Sequence, residues 1–267
     1  MTTHIMSQHL HFASQLARQA GELLLSHFKL SGSQTTLKPD RTVVTEADFE
    51  ADRFIAETIR EHYPGEALVS EELQPSLDET GKAVWVIDPL DGTTNFSLGL
   101  QIWGVSIARL VNGRPSTGVV YFPTLNELYT AEAGMGAGLN GEPIQVRPPV
   151  PGQPTAFFSC CSRTHRRYDV NVRYKTRILG SAAYTFCAVA RGMAILGFEA
   201  TPKIWDISAG WLVVQEAQGL VETLDGSLPF PLIPGFDYRT RDFPTISAAT
   251  PELLAQAREQ IRPRAPK

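Results

Sequence analysis

Asp88-Pro89-Leu90-Asp91-Gly92-Thr93-Thr94-Asn95-Phe96 follows an apolar run, Val84-Trp85-Val86-Ile87, that reads as a buried strand. Two carboxylates therefore stand three residues apart where that strand is expected to end. The Gly, the two Thr and the Asn that follow have the composition of a turn into a helix start. Hard divalent cations take clustered oxygen ligands, and phosphate takes the free backbone N–H groups of a helix N-terminus. One turn of chain offers both, which points to a magnesium site acting on a phosphate. Taken alone, a D-x-x-D-G segment is more often a structural turn, because Asx side chains bond their own backbone and Gly accepts positive φ. The rest of the chain decides between the two.

The composition is that of an ordinary globular protein: 267 residues, 43% hydrophobic and 19% charged. Such a length permits one large domain or two smaller ones and buries a sizeable core without staples. The net charge of −4 and the lack of a Lys/Arg block leave no nucleic-acid footprint in the sequence. The modest basic stretch of Arg163, Arg166, Arg167, Arg173, Lys175 and Arg177 reads mainly as a solvated face. Cys160, Cys161 and Cys187 form neither a zinc spacing nor a disulfide framework. They read as small core fillers in a reducing, cytoplasmic setting. No long apolar segment opens the chain, and no run reaches about 18 apolar residues, so neither a cleaved signal nor a membrane span is expected.

Working outward, apolar residues from Leu10 to Phe28 form a helical stripe. Leu30 to Arg41 reads as a polar loop. Thr45-Glu46-Ala47-Asp48 opens a second helix that runs to about Tyr63 and stops at Pro64-Gly65. Ala67-Leu68-Val69-Ser70 is a short strand delivering Glu71-Glu72. A meander follows, with Asn112-Gly113 as a hairpin signal. The run Gly134-Met135-Gly136-Ala137-Gly138-Leu139-Asn140-Gly141 lacks the Lys-Ser/Thr of a phosphate loop and reads as another hairpin. Pro148, Pro149, Pro151 and Pro154 mark a boundary. Beyond it, helices at Ser181–Arg191 and Asp206–Gln218, with Gly219 as C-cap, alternate with strands at Ala156–Cys160, Met193–Phe198 and Leu220–Leu224. Thr250 caps a last helix with Pro251 at its first position.

Four acidic clusters thus sit at strand ends or helix starts: Asp48, Glu71-Glu72, Asp88 with Asp91, and Asp206. Carboxylates gathered around two or three cations suit metal-assisted displacement at phosphorus. Asp88-Pro89-Leu90-Asp91-Gly92-Thr93 resembles the D-P-[IL]-D-G-[ST] signature of the inositol monophosphatase family. Ile204-Trp205-Asp206-Ile207-Ser208-Ala209-Gly210 resembles its W-D-x-[AS]-[AG]-G signature. Ser70-Glu71-Glu72 and Val44-Thr45-Glu46-Ala47-Asp48 resemble its upstream elements. All four occur in order, over most of the chain.

The resemblance implies a layered αβαβα sandwich, as in fructose-1,6-bisphosphatase. The whole chain would be one domain, with an N-terminal half to about residue 147 and a C-terminal half from about residue 155, the proline-rich stretch linking them. It implies two to three Mg²⁺ ions, lithium sensitivity and a homodimer. Glu71, Asp88 and the Leu90 carbonyl would hold the first ion, and Asp88, Asp91 and Asp206 the second. A third, weaker ion would share Glu71 with water. Thr93 and Asp48 would orient and deprotonate the attacking water, and the Gly92 and Thr93 N–H groups would bind phosphate, with no phosphoenzyme formed. Several of these residues have plainer readings: Asp48 as capping-box partner of Thr45, Asp206 as a first-turn helix acid, Glu72 as an outer acid, Trp205 as core and His165 as surface. Lys38 reads as exposed or as a cation on the phosphate side.

On the substrate side the resemblance implies that Glu199 accepts polyol hydroxyls, that Gly180, Ser181 and Ala182 of a G-[ST]-A-A element help hold the ring, and that Asp206 contributes. Without it Glu199 reads equally as an exposed loop acid. Residues 200–203 read Ala-Thr-Pro-Lys, where animal members usually carry a His-containing stretch, and the loop Pro229–Pro244 looks long. Lys203 would meet a second anionic group or point to water. The expected reaction is Mg²⁺-dependent hydrolysis of inositol monophosphate or a similar polyol phosphate. The alternatives are a phosphatase for histidinol phosphate, 3′-phosphoadenosine 5′-phosphate or fructose 1,6-bisphosphate, or a regulatory binding protein on the same fold.

Overall fold

The apolar stripe at the head of the chain folds as helix α1 (Gln8–His27), where the Ser7 hydroxyl accepts the Leu10 N–H at 3.2 Å. The computed structural model describes residues 7–37, 43–77, 83–150 and 156–264. Lys38, Pro151 and Pro154 lie outside the described residues, and with them the readings that fell there. The expected loop after α1 holds a short strand, β1 (Thr36–Leu37), which pairs antiparallel with β2 (Val43–Val44). Helix α2 (Glu46–His62) then starts at Thr45, whose side chain and backbone close a capping box with Asp48.

Strand β3 (Ala67–Ser70) pairs in parallel with β4 (Ala83–Asp91). Here the structure corrects the sequence reading. β4 does not stop at Ile87 but runs through both carboxylates, and all nine of its residues are buried. A bulge accommodates the extra residue: Asp88 faces Ser106 and Asp91 faces Gly104, three steps on one strand against two on the other. Pro89, which cannot donate to a ladder, sits inside that bulge, where its missing N–H costs nothing. The short helix α3 (Thr93–Ser97) follows, with Gly92 as N-cap at φ +90°. Strands β5 (Gly104–Val111), β6 (Arg114–Phe122), β7 (Glu127–Glu132), β8 (Gly136–Leu139) and β9 (Glu142–Ile144) complete a seven-stranded sheet in the order β3-β4-β5-β6-β7-β8-β9. Asn112 and Gly113, like Asn140 and Gly141, both take positive φ, as two-residue hairpin turns require.

The second half runs β10 (Phe157–Cys160), α4 (Thr164–Arg167), β11 (Tyr168–Val170), β12 (Lys175–Arg177), α5 (Ala182–Ala190), β13 (Ala194–Glu199), α6 (Ile204–Glu216), β14 (Leu220–Thr223), β15 (Thr245–Ala248), α7 (Pro251–Gln260) and β16 (Ile261–Pro263). Five of its strands form a mixed sheet, β12-β10-β13-β15-β14, parallel on one side and antiparallel on the other. Two sequence expectations shift. α6 begins at Ile204 rather than Asp206, and Gln218 (φ 65°), not Gly219, takes the left-handed position after it. A Cβ on Gly219 would meet Val146 and Val214 at 2.8 Å, so that glycine serves close packing.

The layers follow from strand alternation. In the first sheet Trp85, Ile87, Val105 and Ile107 face Leu16, Ala20, Ile55 and Ile59 of α1 and α2. Val86, Ala108 and Val120 face the other way, into a core with Phe186 of α5 and Ile207 and Val213 of α6. In the second sheet Ser159, Gly197 and Ser247 are small and lie towards α5: the Ser159 hydroxyl bonds Thr185 at 3.0 Å, and a Cβ on Gly197 would meet Ser247 and Thr185. Phe158, Phe198 and Ile246 alternate with them, and α7 packs on β13 and β15 through Leu253 and Ala257. The result is the expected αβαβα sandwich.

Gly21 marks where α1 touches the first sheet: a Cβ there would lie 2.6 Å from the Tyr121 ring and 2.9 Å from Pro123. Gly21→Ala is expected to lower Tm, because overpacking a filled core costs about 1–3 kcal/mol. A thermal melt checks it, and an unchanged Tm would mean that α1 is free to move away.

Candidate active site

The C-terminal ends of β3, β4 and β13 and the N-termini of α2 and α6 carry the acids that the sequence singled out, and the starts of α3 and α5 meet them. β3 delivers Glu71, whose N–H stays in the ladder by donating to the Ile87 carbonyl at 3.2 Å. β4 delivers Asp88, and the first turn of α6 delivers Asp206, whose Oδ2 accepts the Lys203 N–H at 2.6 Å. Oxygen atoms of Glu71, Asp88 and Asp206 all lie within 4.8 Å of one another. Asp88 is 1% exposed, and its Oδ1 accepts the Leu90 N–H at 3.0 Å.

Electrostatics sets this cluster apart from a structural turn. Burial, then Glu71, Asp206 and Asp91, hold the Asp88 carboxyl well above the usual carboxylate range, and it shares a hydrogen bond with Asp206. Burial and the charges of Glu71 and Asp91 push Asp206 up to about 7. Burial also pushes Asp91 up to about 6, against three hydrogen bonds that pull it down. Among the described residues, no Lys, Arg or His pairs with Asp48, Asp88, Asp91 or Asp206. Closely spaced carboxylates, buried or half-buried and oxygen-rich, are the donor set that a divalent ion neutralises, so these residues fit such an ion.

Asp91 lies outside that trio. Its carboxylate crosses to the start of α5, where Oδ1 accepts the Ala182 N–H at 3.0 Å and Oδ2 accepts the Ala183 N–H at 3.1 Å and the Ser181 hydroxyl. Ser181 is itself the N-cap of α5, its Oγ accepting the Tyr184 N–H at 3.0 Å. Ser181 and Ala182 therefore hold Asp91 directly. Gly180 (φ +78°) precedes them, and a Cβ there would strike the Asn95 side chain at 2.6 Å. Asn95 in turn donates to the Ile102 and Leu179 carbonyls at 2.6 and 2.8 Å, locking this loop to the turn of the first signature. The sequence showed Asn95 only as turn punctuation.

Asp48 makes the cap that was weighed for it and also reaches Thr93. Oδ2 accepts the Thr45 N–H at 2.8 Å and the Thr45 hydroxyl at 2.6 Å, which is the cap. Oδ1 accepts the Thr93 hydroxyl at 3.0 Å, and that hydroxyl also lies 3.0 Å from the Leu90 carbonyl. Burial raises Asp48 to about 6, with its hydrogen bonds to Thr45 and Thr93 opposing. Gly92 supplies the turn between Asp91 and Thr93, since a Cβ would lie 3.0 Å from the Ile102 carbonyl. The first N–H groups of α3, from Thr93 on, have no carbonyl within their own helix.

Glu199 is not an exposed loop acid. It ends β13 at 4% exposure, opposite Thr245. Burial pushes it up to about 8, with Asp91 and Asp206 adding and hydrogen bonds to Thr185 and Cys161 opposing. Trp205 is core, and His165 is exposed, as read. Lys203 meets neither expectation: its Nζ donates to Asp242 at 2.9 Å and to the Arg239 carbonyl at 2.6 Å, fastening the loop before β15. That loop also bridges Ser76 and Leu77 through Asp237 and Pro234. Lys203→Ala is thus expected to leave KM within about twofold while lowering stability, and with it Tm, by the worth of a partly exposed pair, about 1 kcal/mol. Steady-state kinetics beside a melt checks it; a large rise in KM with unchanged Tm would restore Lys203 to the substrate side.

The sequence profile of the inositol monophosphatase family matches residues 5–262. The chain belongs to that family. It is 37% identical over 228 residues to the fructose-1,6-bisphosphatase/inositol-1-monophosphatase of Thermotoga maritima, covering 81% of this chain and 85% of the relative. It is 35% identical over 269 residues to the Nus factor SuhB of Pasteurella multocida, covering 97% of each. Among solved structures, the Thermotoga maritima IMPase superposes with a TM-score of 0.78 at 31% identity, covering 95% of this chain and 96% of that one. The family supports phosphatase chemistry on a phosphate monoester. Its members' names differ, so membership does not choose the substrate. No helix among the described residues is long and apolar enough to cross a membrane.

Proposed function

We propose that this chain is a Mg²⁺-dependent phosphomonoesterase acting on inositol monophosphate or a similar polyol phosphate. The observation that carries the reading is the approach of Glu71, Asp88 and Asp206 from three separate elements to within 4.8 Å. Glu71, Asp88 and the Leu90 carbonyl would hold one ion. Asp88, Asp206 and the remaining lone pair of Asp91 Oδ1 would hold a second, with Glu71 serving a third. Bound divalent ions would supply acidified water and charge neutralisation at the phosphoryl oxygens.

The other roles belong to the chain's own groups. Asp48 accepts the Thr93 hydroxyl proton, which leaves the Thr93 oxygen free to accept from a water; the pair orients that water and passes its proton to the Asp48 carboxylate. Gly92 and Thr93 N–H groups, at the start of α3, would bind phosphate oxygens, as backbone donors at a helix start do. Ser181 and Ala182 act by fixing Asp91, and Gly180 by admitting Asn95 beside them. Glu199, buried beside Thr185, would accept a hydroxyl of the polyol, since a carboxyl group keeps an acceptor oxygen in either protonation state. Because residues of both halves meet at one site, we read the chain as a single functional unit, working in the cytoplasm as its three free cysteines suggest.

A homodimer is part of this reading. Leu30, Leu98, Leu100 and Ile178 are 73%, 63%, 52% and 52% exposed, and three of them line a groove of about 470 Å³ with Ile102 and Leu179. Clustered exposed apolar side chains mark contact surfaces. Leu100→Glu is expected to turn a dimeric elution volume into a monomeric one in size-exclusion chromatography.

The reading is tested by phosphate release from inositol 1-phosphate, histidinol phosphate, fructose 1,6-bisphosphate and 3′-phosphoadenosine 5′-phosphate, with and without Mg²⁺. Metal-dependent turnover of the inositol ester well above the others is expected. Preference for another ester would move the specificity, and no turnover by folded protein would overturn the reading. The SuhB relative supports a second one, a regulatory binding role on the same fold. It would be favoured if an inactive Asp91→Asn variant kept the cellular function.

A further inference from the structure

The helix that carries Asp48 bears a second buried acid one turn on. Asp52 has no exposed surface. Its Oδ2 accepts the Glu72 N–H at 2.9 Å and the Leu73 N–H at 3.3 Å, while its Oδ1 has no hydrogen-bond partner. Residues four apart share a helix face. The same face of α2 therefore grips the first signature through Asp48 and Thr93, and the end of β3 through Asp52.

The segment Asp52 grips is the one that bears Glu71. The Ser70 N–H donates to the Gln74 carbonyl at 2.8 Å and the Gln74 N–H to the Ser70 hydroxyl at 3.1 Å, closing a turn over the residues between. The Glu71 N–H is committed to β4 at the Ile87 carbonyl. The Glu72 and Leu73 N–H groups point back into the protein, and Asp52 receives both. Backbone donors turned inward need an acceptor, and losing it lets the turn relax away from the site.

We propose that Asp52 is a positioning residue: through the Glu72 and Leu73 amides it holds Glu71 at the distance where Glu71, Asp88 and Asp206 close on one cation. The inference rests on the metal-dependent reading above. Groups that orient a metal ligand typically change metal affinity by about 10–100-fold when removed. Asp52 needs only one oxygen for this work. An Asn, of the same shape, keeps an acceptor for both amides and puts its NH2 where the unpartnered oxygen lies.

The test is calorimetric titration of the full folded chain with Mg²⁺ alone, for the wild type, Asp52→Asn and Asp52→Ala. Asp52→Asn is expected to bind within about threefold of wild type and Asp52→Ala about tenfold or more weakly. Hydrogen exchange at the Glu72 and Leu73 amides should accelerate in the Ala variant alone. Should Asp52→Ala not fold, Asp52→Leu, which fills the space without an acceptor, takes its place. Wild-type Mg²⁺ affinity in a folded variant lacking the acceptor, even one with lowered Tm, would make Asp52 merely structural and overturn the inference. So would an Asn variant as impaired as the Ala variant. A wild-type protein that binds no Mg²⁺ would instead overturn the metal-dependent reading itself, and this inference with it.

Discussion

Asp88→Asn is expected to lower kcat/KM at least about 10³-fold and, in metal-free protein near pH 7.5, to raise Tm. The two signs have different origins. Asp88 is the acid common to both proposed ions, and losing charge stabilisation of several kcal/mol at the phosphoryl group costs about a factor of ten per 1.4 kcal/mol. Without metal the same carboxylate is a liability, because it is buried beside Glu71, Asp206 and Asp91, and burial and those charges oppose its ionisation. Asn keeps an oxygen to accept the Leu90 N–H, which now lies 3.0 Å from Asp88 Oδ1, so little is lost from the bulge. A structural acid behaves the other way: its loss lowers Tm and leaves most of the turnover. Kinetics at saturating Mg²⁺ together with a melt in chelator decides the matter. A rate loss below tenfold, or a fall in metal-free Tm, would remove Asp88 from the centre of the site.

Part of this was legible in the sequence, and the division has physical reasons. The acids were legible because they punctuate strong local patterns: a strand before Glu71, a strand before Asp88, a helix start at Asp48. The Asn-Gly hairpins were legible because positive φ at two successive positions selects those residues. The bulge in β4 was not, because Pro89 reads as a strand terminator until the partner strand is seen to skip a residue opposite it. Pairings across long stretches of sequence were equally hidden. Asp91 and Ser181 are 90 residues apart, and nothing local says that a G-S-A-A segment ends on a carboxylate rather than in open space. Lys203 was open to a substrate contact or to water because its partner Asp242 lies 39 residues on. Asp52 did carry a local signal, an acid four residues after Asp48 and so on the same helix face, but it gained meaning only with the turn it receives.

The stability of metal-free protein is expected to fall as pH rises from about 5 to about 8, and Mg²⁺ is expected to abolish most of that fall. Asp48 and Asp91 are raised to about 6, Asp206 to about 7 and Glu199 to about 8, all from ordinary carboxylate values and all chiefly by burial. An acid whose folded value lies above its unfolded value binds more protons folded than unfolded between the two, so ΔG of unfolding decreases with pH across that window. The contribution is present below the unfolded values, near pH 4, and is gone once the pH has passed the folded ones, near 8. A tenfold change in proton affinity on folding is worth about 1.4 kcal/mol, and for a chain of this size each 1 kcal/mol lost lowers Tm by about 2–4 °C. Ligand binding to the folded state alone opposes the loss by mass action, most where the acids are ionised. Melts in chelator and in Mg²⁺ across this range test both halves. A metal-free Tm that stays level or climbs between pH 5 and 8 would mean that the acids are not forced together by the fold. A decline untouched by Mg²⁺ would mean that the crowding is real but the cation is not what it awaits.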